Sequence, residues 1–174
     1  GHRLPVWLTI TPVHNEDRLT AIIFSFSDIS PLRRAQADLD FLAHHDSLTG
    51  LPNRLHFHEH IDKLTARDDP FSLFYIDLDH FKLINDSRGH NTGDLVLQAI
   101  AGRLRVLIGE AGFAARLGGD EFVVIGPPHS PDFPLSLVAA IAQPIPVSGE
   151  SLVTPASIGS SRFPADATTR EALL

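Results

Sequence analysis

Two stretches near the start of the chain carry the hydrophobic pattern of β-strands. Residues 6–13 alternate large apolar and polar side chains, as a half-buried strand does, and residues 19–27 form a second apolar run. The Asn-Glu-Asp segment at 15–17 favours a turn between them. The pattern therefore predicts a hairpin. Because an isolated hairpin is at best marginally stable in water, we expect it to pack against another segment.

The period of the apolar positions changes at Pro31. From there apolar side chains recur at steps of three and four residues, which is the spacing of an amphipathic helix. The pattern covers about two heptads, which is compatible with a coiled coil but too short to establish one. Because residues 49–53 are rich in turn formers, the helix should end near Asp46. We therefore predict a helical linker over 31–45.

Helical and extended patterns alternate beyond this turn. They predict helices at about 55–65, at 79–86, from Leu95 to Leu107 and at 135–142, strands at 71–78 and 152–163, a loop at 89–93 and a hairpin around 118–119. Strands that alternate with helices, together with one hairpin, indicate a sheet with helices packed on it, of the α/β or α+β class.

The composition excludes several classes of protein. The chain has 174 residues, of which 43% are hydrophobic, and this is enough for a packed core. It has no cysteine and no apolar run of the roughly 20 residues that span a bilayer, so we expect a cytoplasmic location, with any membrane anchor elsewhere in a longer protein. The net charge of −7 argues against a nucleic-acid-binding surface.

The segment 115–122, with the sequence ARLGGDEF, is the most informative part of the chain. Its two glycines, Gly118 and Gly119, leave room for a ligand's phosphates to approach the backbone. The adjacent carboxylates of Asp120 and Glu121 could hold a hard cation over such phosphates. Taken alone, the same residues describe an ordinary solvated hairpin turn, so a second acidic motif is needed to decide.

That second motif ends the apolar strand at 71–78. An acid in this position is costly unless it is solvated or bound to a cation. Asp79 could simply cap the following helix, whereas Asp77 lies deeper, so we favour Asp77 as a metal ligand before Asp79. If the strands that carry Asp77 and Asp120 are neighbours, their carboxylates form a layout suited to Mg²⁺ and phosphoryl transfer.

Polar residues near these acids suit the remainder of a nucleotide. The helix that opens near His80 offers backbone amides to phosphate, and Lys82 offers a positive charge, although a helical lysine is usually just solvated. Asn85 and Asp94 can both accept hydrogen bonds, and the Watson–Crick edge of guanine offers the matching donors.

The histidines have a simpler interpretation. His56 and His60 are four residues apart on a helix and could share a metal ion, but no third ligand of the right type is near in sequence. We therefore favour exposed helical histidines there. His44 and His45 belong to the end of the preceding helix, where a cationic ring suits the helix dipole.

Four ordered segments together resemble the GGDEF family of diguanylate cyclases, and the resemblance covers roughly residues 42–174. They are DSLTGLPNR (46–54), IDLDHFKLIND (76–86), GHNTGD (89–94) and RLGGDEF (116–122), with SIG (157–159) matching a later strand. The resemblance implies an α+β, or α/β sandwich, fold with a mainly antiparallel, palm-like sheet similar to nucleotidyl cyclases. It implies the condensation of two GTP into cyclic di-GMP and pyrophosphate across a homodimer.

The resemblance also implies roles for residues. Asp120 and Glu121 would be catalytic, and Asp77, the Leu78 carbonyl and Asp120 would bind Mg²⁺ or Mn²⁺. The implied substrate-binding residues are Asn85 and Asp94 for guanine, Phe81 and Lys82 beside the phosphates, His90 in the nearby loop, and Gly118 and Gly119 at the turn.

Two departures from the family pattern bear on activity. Gly109 and Gly112 stand where many members carry the arginine and aspartate of a product-binding motif, so we expect no tight product inhibition there. The family's closing helix, which usually carries basic residues toward the phosphates, lies beyond Leu174. The fragment could therefore be inactive even though its acids look competent.

The first 30 residues resemble the final two strands of a PAS sensory domain. The organisation we predict is therefore a PAS-like hairpin (1–30), a helical signalling linker (31–45) and a GGDEF domain that lacks its final helix (46–174). The alternative function is a non-catalytic, GTP-binding GGDEF domain that regulates an adjacent cyclic-di-GMP phosphodiesterase (EAL) domain. A purely structural dimerisation module is disfavoured, because a scaffold has no physical need for unpaired acids beside a glycine turn.

Overall fold

The computed structural model of the chain describes residues 4–15, 18–109, 112–128, 130–147 and 149–174. Its internal contacts divide it into two compact units, Gly1–Ala43 and His44–Leu174. Within the described ranges, no helix combines the length and apolarity needed to cross a bilayer.

The first unit contains the predicted hairpin and most of the predicted helix. Strands β1 (Val6–Asn15) and β2 (Arg18–Asp28) pair antiparallel, and helix α1 (Ser30–His44) follows. The predicted turn includes residues 16–17, which lie outside the described residues. None of the described residues of this unit is buried, and Trp7 and Phe26 are 66% and 67% exposed. The hairpin therefore has no hydrophobic core of its own.

The second unit is built on a four-stranded sheet. Its elements are α2 (Arg54–Ala66), β3 (Phe71–Leu78), α3 (Phe81–Arg88), α4 (His90–Ile108), β4 (Phe113–Gly118), β5 (Glu121–Gly126), α5 (Phe133–Ile141), β6 (Ile145–Val147), β7 (Glu150–Leu152), β8 (Ala156–Phe163) and α6 (Arg170–Leu173). The strand order is β4-β5-β3-β8, with every pair antiparallel, and β6 and β7 form a separate small ribbon.

Hydrophobic cores cover both faces of this sheet, because successive side chains of a strand point to opposite faces. Phe74 and Ile76 of β3 pack with α4 and α5 on one face, whereas Phe71 and Leu73 pack with α2 on the other. The prediction of a mainly antiparallel sheet with flanking helices, of the α+β class, is confirmed.

Two local predictions were wrong. The predicted loop at 89–93 is mostly helix, because α4 begins at His90 directly after Gly89, whose φ of 84° allows the sharp change of direction. The predicted strand at 152–163 is interrupted, since β8 begins only at Ala156 and residues 153–155 pair with no strand. Pro155, which has no N–H to donate to a ladder, lies in this interruption.

Candidate active site

The pairing of β3 with β5 brings the two acidic motifs together. Asp77 lies directly opposite Glu121 in the antiparallel register, and it lies opposite Ser157 of β8 on its other side. Just past this pair, the Leu78 N–H donates to the Asp120 carbonyl at 3.3 Å. The prediction that Asp77 and the glycine turn come from neighbouring strands holds, and the acids meet at one end of the sheet.

Electrostatic repulsion marks this end of the sheet. Burial raises the pKa of Asp77, and the nearby carboxylates of Asp120, Glu121 and Asp79 raise it further. Carboxylates that crowd in this way favour a cation among them. Within the described residues no three Asp, Glu, His or Cys side chains are arranged to hold a metal by themselves. Mg²⁺ commonly needs only one or two carboxylates, because waters and phosphate oxygens complete its shell, so the hard oxygens of Asp77, Leu78 and Asp120 fit that ion.

Asp79 has a structural role of its own. Its Oδ1 accepts a hydrogen bond from the Ser157 hydroxyl at 2.7 Å, and its N–H donates to the Pro155 carbonyl at 2.9 Å. The residue at the N-cap of α3 is His80, which has a left-handed φ of 60°. The alternative in which Asp79 caps this helix is therefore wrong, and the side chain instead ties β3 to β8.

The glycine turn has a conformation that other residues rarely adopt. Gly118 and Gly119 have φ angles of 141° and 52°, and a β-carbon on either would meet no atom within 4 Å. The backbone conformation thus favours glycine, and open space lies beside it. A ligand can approach the main chain closely here.

Arg116 fixes the carbonyl side of this turn. Its Nε and Nη2 donate to the Gly119 carbonyl at 3.0 and 2.7 Å, and its Nη1 lies 3.0 Å from both carboxylate oxygens of Asp46. Burial opposes the charge on Asp46, but hydrogen bonds from Thr49 and Arg116 outweigh it and hold its pKa below the usual value. The first loop of the second unit is thereby tied to the turn.

Arg54 binds the residues that precede and follow the same turn. Its Nε donates to the Leu117 carbonyl at 3.1 Å, and its Nη2 lies 3.3 Å from Oε2 of Glu121. Asn53 positions this arginine by capping α2, since its side chain accepts a hydrogen bond from the His56 N–H. Burial and a hydrogen bond with Glu121 also raise the pKa of Tyr75 to about 12. Glu121 is therefore less free to move than Asp120.

The residues predicted to bind guanine lie where α3 meets α4. Asn85 is half-buried, and a β-carbon at Gly93 would overlap its Oδ1. Asp94 follows Gly93 and is exposed. Because Gly93 has no side chain, α3 and α4 approach closely and the Asn85 side chain lies against Gly93. Asn85 is thereby close to Asp94, the next residue of α4.

The remaining predicted residues have different surroundings. Phe81 is only 8% exposed and packs in the core, so its backbone rather than its ring is available to a phosphate. Lys82 and His90 are exposed, and His90 is the first residue of α4 rather than part of a loop. Sequence reasoning gave no separate role to Asp46, Arg54 or Arg116. Their partners are as many as 70 residues away, and no local spacing signals them.

A comparison with known proteins agrees with this geometry. The family model described as the GGDEF domain of diguanylate cyclases matches residues 43–174. The chain belongs to the GGDEF family. Two relatives from Pseudomonas aeruginosa are named as diguanylate cyclases, one of them with a second activity. One is the bifunctional diguanylate cyclase/cyclic di-GMP phosphodiesterase MucR, 39% identical over 82% of this chain, and the other is the diguanylate cyclase TpbB, also 39% identical over 82% of it.

The GGDEF fold is also found among solved structures. The coiled coil and GGDEF domain of DgcB from Caulobacter crescentus, in complex with c-di-GMP, aligns with a TM-score of 0.71 at 25% identity and covers 80% of each chain. The chain spans 22% of MucR and 35% of TpbB. These relatives therefore contain far more than the segment they share with it.

Gly93→Ala tests the close approach of α3 and α4. The new methyl group must displace Asn85 or Phe81, so we expect a loss of about 1–3 kcal/mol in the free energy of unfolding, measured by urea titration. Gly102→Ala is the matched control on the same helix, where a β-carbon meets nothing within 4 Å. It should be stabilising by up to about 1 kcal/mol, and equal effects of the two substitutions would contradict this account.

A double-mutant cycle with Asp46→Ala and Arg116→Ala tests the tie to the turn. These side chains are 22% and 11% exposed, and we expect a coupling energy of about 1–3 kcal/mol at neutral pH. Because the pKa of Asp46 is lowered, the coupling should be lost as the pH falls below the ordinary value of 3.8 and through the lowered pKa.

Arg88 and Glu150 are the control pair for this cycle. They are closer, at 2.6 Å, but 45% and 66% exposed, so their coupling should not exceed about 1 kcal/mol. A coupling at Arg88–Glu150 as large as that at Asp46–Arg116 would show that burial does not strengthen the tie.

Proposed function

We propose that the second unit is a diguanylate cyclase domain, which joins two GTP molecules into cyclic di-GMP and releases pyrophosphate. The proposal rests mainly on one observation. Asp77 and Asp120 lie at the same end of the sheet, beside a glycine turn that has open space next to it. The names of relatives such as TpbB support the proposal. A scaffold does not need a carboxyl group whose pKa is raised by burial and by neighbouring carboxylates, as that of Asp77 is.

Each group has a specific task in this reaction. Asn85 and Asp94 accept hydrogen bonds from the guanine edge, and backbone amides at the start of α3, with Lys82, meet the phosphates. Asp77, the Leu78 carbonyl and Asp120 would hold a divalent cation, which would stabilise negative charge on the phosphates. In this proposal Asp120 accepts the proton of a ribose 3′-hydroxyl, whose oxygen attacks the α-phosphorus of the second GTP while the bond to pyrophosphate breaks. His90 and Glu121 border this site.

The reaction requires two copies of the site. The described residues of the second unit contain one such set of acids, so in this proposal each chain presents one GTP and a homodimer brings the two face to face. The exposed apolar hairpin of the first unit fits the end of a PAS-like sensory domain, and α1 fits a signalling linker. We also propose a cytoplasmic location for the catalytic unit.

Isosteric substitution of the acids tests the activity directly. The full-length protein and the present chain are incubated with GTP and Mg²⁺, and cyclic di-GMP and pyrophosphate are quantified. We expect Asp77→Asn and Asp120→Asn to lower turnover by at least about 100-fold, because each removes a charge that faces the developing transition state. The unfolding temperature should not fall, since each substitution also relieves repulsion among the acids.

Asp69→Asn is the matched control, because it removes the same charge just before β3, at the end of that strand away from Asp77. It should leave turnover unchanged. Undiminished turnover in Asp120→Asn would refute the catalytic assignment. GTP binding without turnover in every form would instead favour the regulatory function beside an EAL domain.

A product titration tests the expected lack of feedback. A β-carbon at Gly112 would overlap the side chain and carbonyl of Ile108, so this position does not readily accept the acid of a product-binding motif. Residues 110–111 lie outside the described residues. We expect cyclic di-GMP to inhibit turnover only as a weak competitor of GTP. Tight, dimer-dependent product binding measured by calorimetry would contradict this expectation.

A further inference from the structure

Four histidines gather where α1 ends and α2 begins. The ring of His56 on α2 lies edge-on to His44, the last residue of α1, at 5.5 Å between centroids, and to His45 at 5.6 Å. One turn along α2, His60 stacks on Phe113 of β4 at 4.1 Å, and His56 meets the same phenylalanine edge-on at 5.6 Å. The interpretation of His56 and His60 as exposed helical histidines was therefore wrong. We call these four residues the histidine cluster.

The surroundings of His56 favour the neutral ring. Its Nδ1 is buried and has no hydrogen-bond partner, so a proton added there would be both desolvated and unpaired. Burial lowers its pKa, and the neighbouring His45 and His44 lower it further. Burial and His56 also lower the pKa of His60.

The charged groups around the cluster do not cancel this effect. Glu59 lies 3.7 Å from Nε2 of His44 and raises the pKa of His56, but less than burial and the two histidines lower it. Lys63 on α2 adds positive charge. Phe113, which β4 presents to the cluster, carries no charge.

The histidine cluster is connected to the glycine turn through Asp46 and Arg116. The His44 carbonyl accepts from the Asn53 N–H at 2.9 Å, and His45 forms a β-bridge with Pro52. The next residue, Asp46, binds Arg116, which holds the Gly119 carbonyl. Any movement of residues 44–46 is therefore transmitted to the turn through two side chains.

We propose that the histidine cluster is an acid-sensitive joint: it is closed when the rings of His56 and His60 are neutral, and their protonation opens it and loosens the Asp46–Arg116 tie to the glycine turn. A proton on either of these two rings costs free energy in the closed joint, whereas in the opened joint the two rings are hydrated. The closed form is therefore fully favoured above the ordinary histidine value of 6.5 and loses stability as the pH falls below it through the lowered values. The effect of this joint on turnover rests on the proposed cyclase function, whereas the opening itself does not.

Hydrogen exchange tests the opening without any substrate. Amide protection of residues 46–53 is compared at about pH 7.5 and about pH 5.5, after correction for intrinsic rates, in the wild type and in His56→Leu. We expect wild-type protection to fall about threefold or more at the lower pH, relative to amides in β3 and β5. His56→Leu should keep its protection, because leucine removes the buried unpaired nitrogen and cannot be protonated.

His58→Gln is the matched control, since it removes a histidine from the same helix but outside the cluster. It should respond to pH as the wild type does. Wild-type protection that does not depend on pH would overturn the proposal, and so would an equal loss of protection in His56→Leu.

A titration of the histidine ring protons by NMR needs no variant. It should show His56 gaining its proton only below the ordinary range, together with a change in the signals of residues 46–53. A shift of those signals at a pH where His56 stays neutral would also overturn the proposal. If protection of residues 46–53 falls at low pH as expected but acid does not change cyclic di-GMP synthesis, the proposed effect on turnover is refuted and the acid-induced opening is supported. If no chain makes cyclic di-GMP, only the cyclase proposal fails.

Discussion

The antiparallel pairing of β3 with β5 is the constraint on which the candidate site depends. It places Asp77 opposite Glu121, and the bond from the Leu78 N–H to the Asp120 carbonyl fixes the glycine turn at the end of β3. The strands are held in this register by apolar side chains on both faces, because a slip of one residue would exchange those faces. The stability of the core thus sets the position of the acids.

The nearby arginines do not neutralise the repulsion among the acids. Arg116 donates to the Gly119 carbonyl and to Asp46, and Arg54 donates to the Leu117 carbonyl and to Glu121. These arginines fix the shape of the turn, while Asp77 and Asp120 are left to repel each other. Such an arrangement suits a site that binds a cation together with a nucleotide, because the cation supplies the positive charge that the arginines do not.

The sequence predicted the parts of the fold that depend on local pattern. The apolar run at 71–78 and the glycines at 118–119 were enough to predict β3 and the hairpin, and the acids at their ends indicated the candidate site. Contacts distant in sequence were not accessible in this way, since nothing near Asp46 specifies Arg116. The histidines show the same limit. Spacing placed His56 and His60 on one helix face, but only the ring contacts with His44 and Phe113 show that this face is covered.

A structure of the second unit with Mg²⁺ and an unreactive GTP analogue would test the proposed site. We expect the cation between the Asp77 and Asp120 carboxylates and the Leu78 carbonyl, the phosphates over Gly118 and Gly119, and the guanine edge against Asn85 and Asp94. A nucleotide bound elsewhere on the chain, or one bound here with no cation near Asp77, would contradict this expectation.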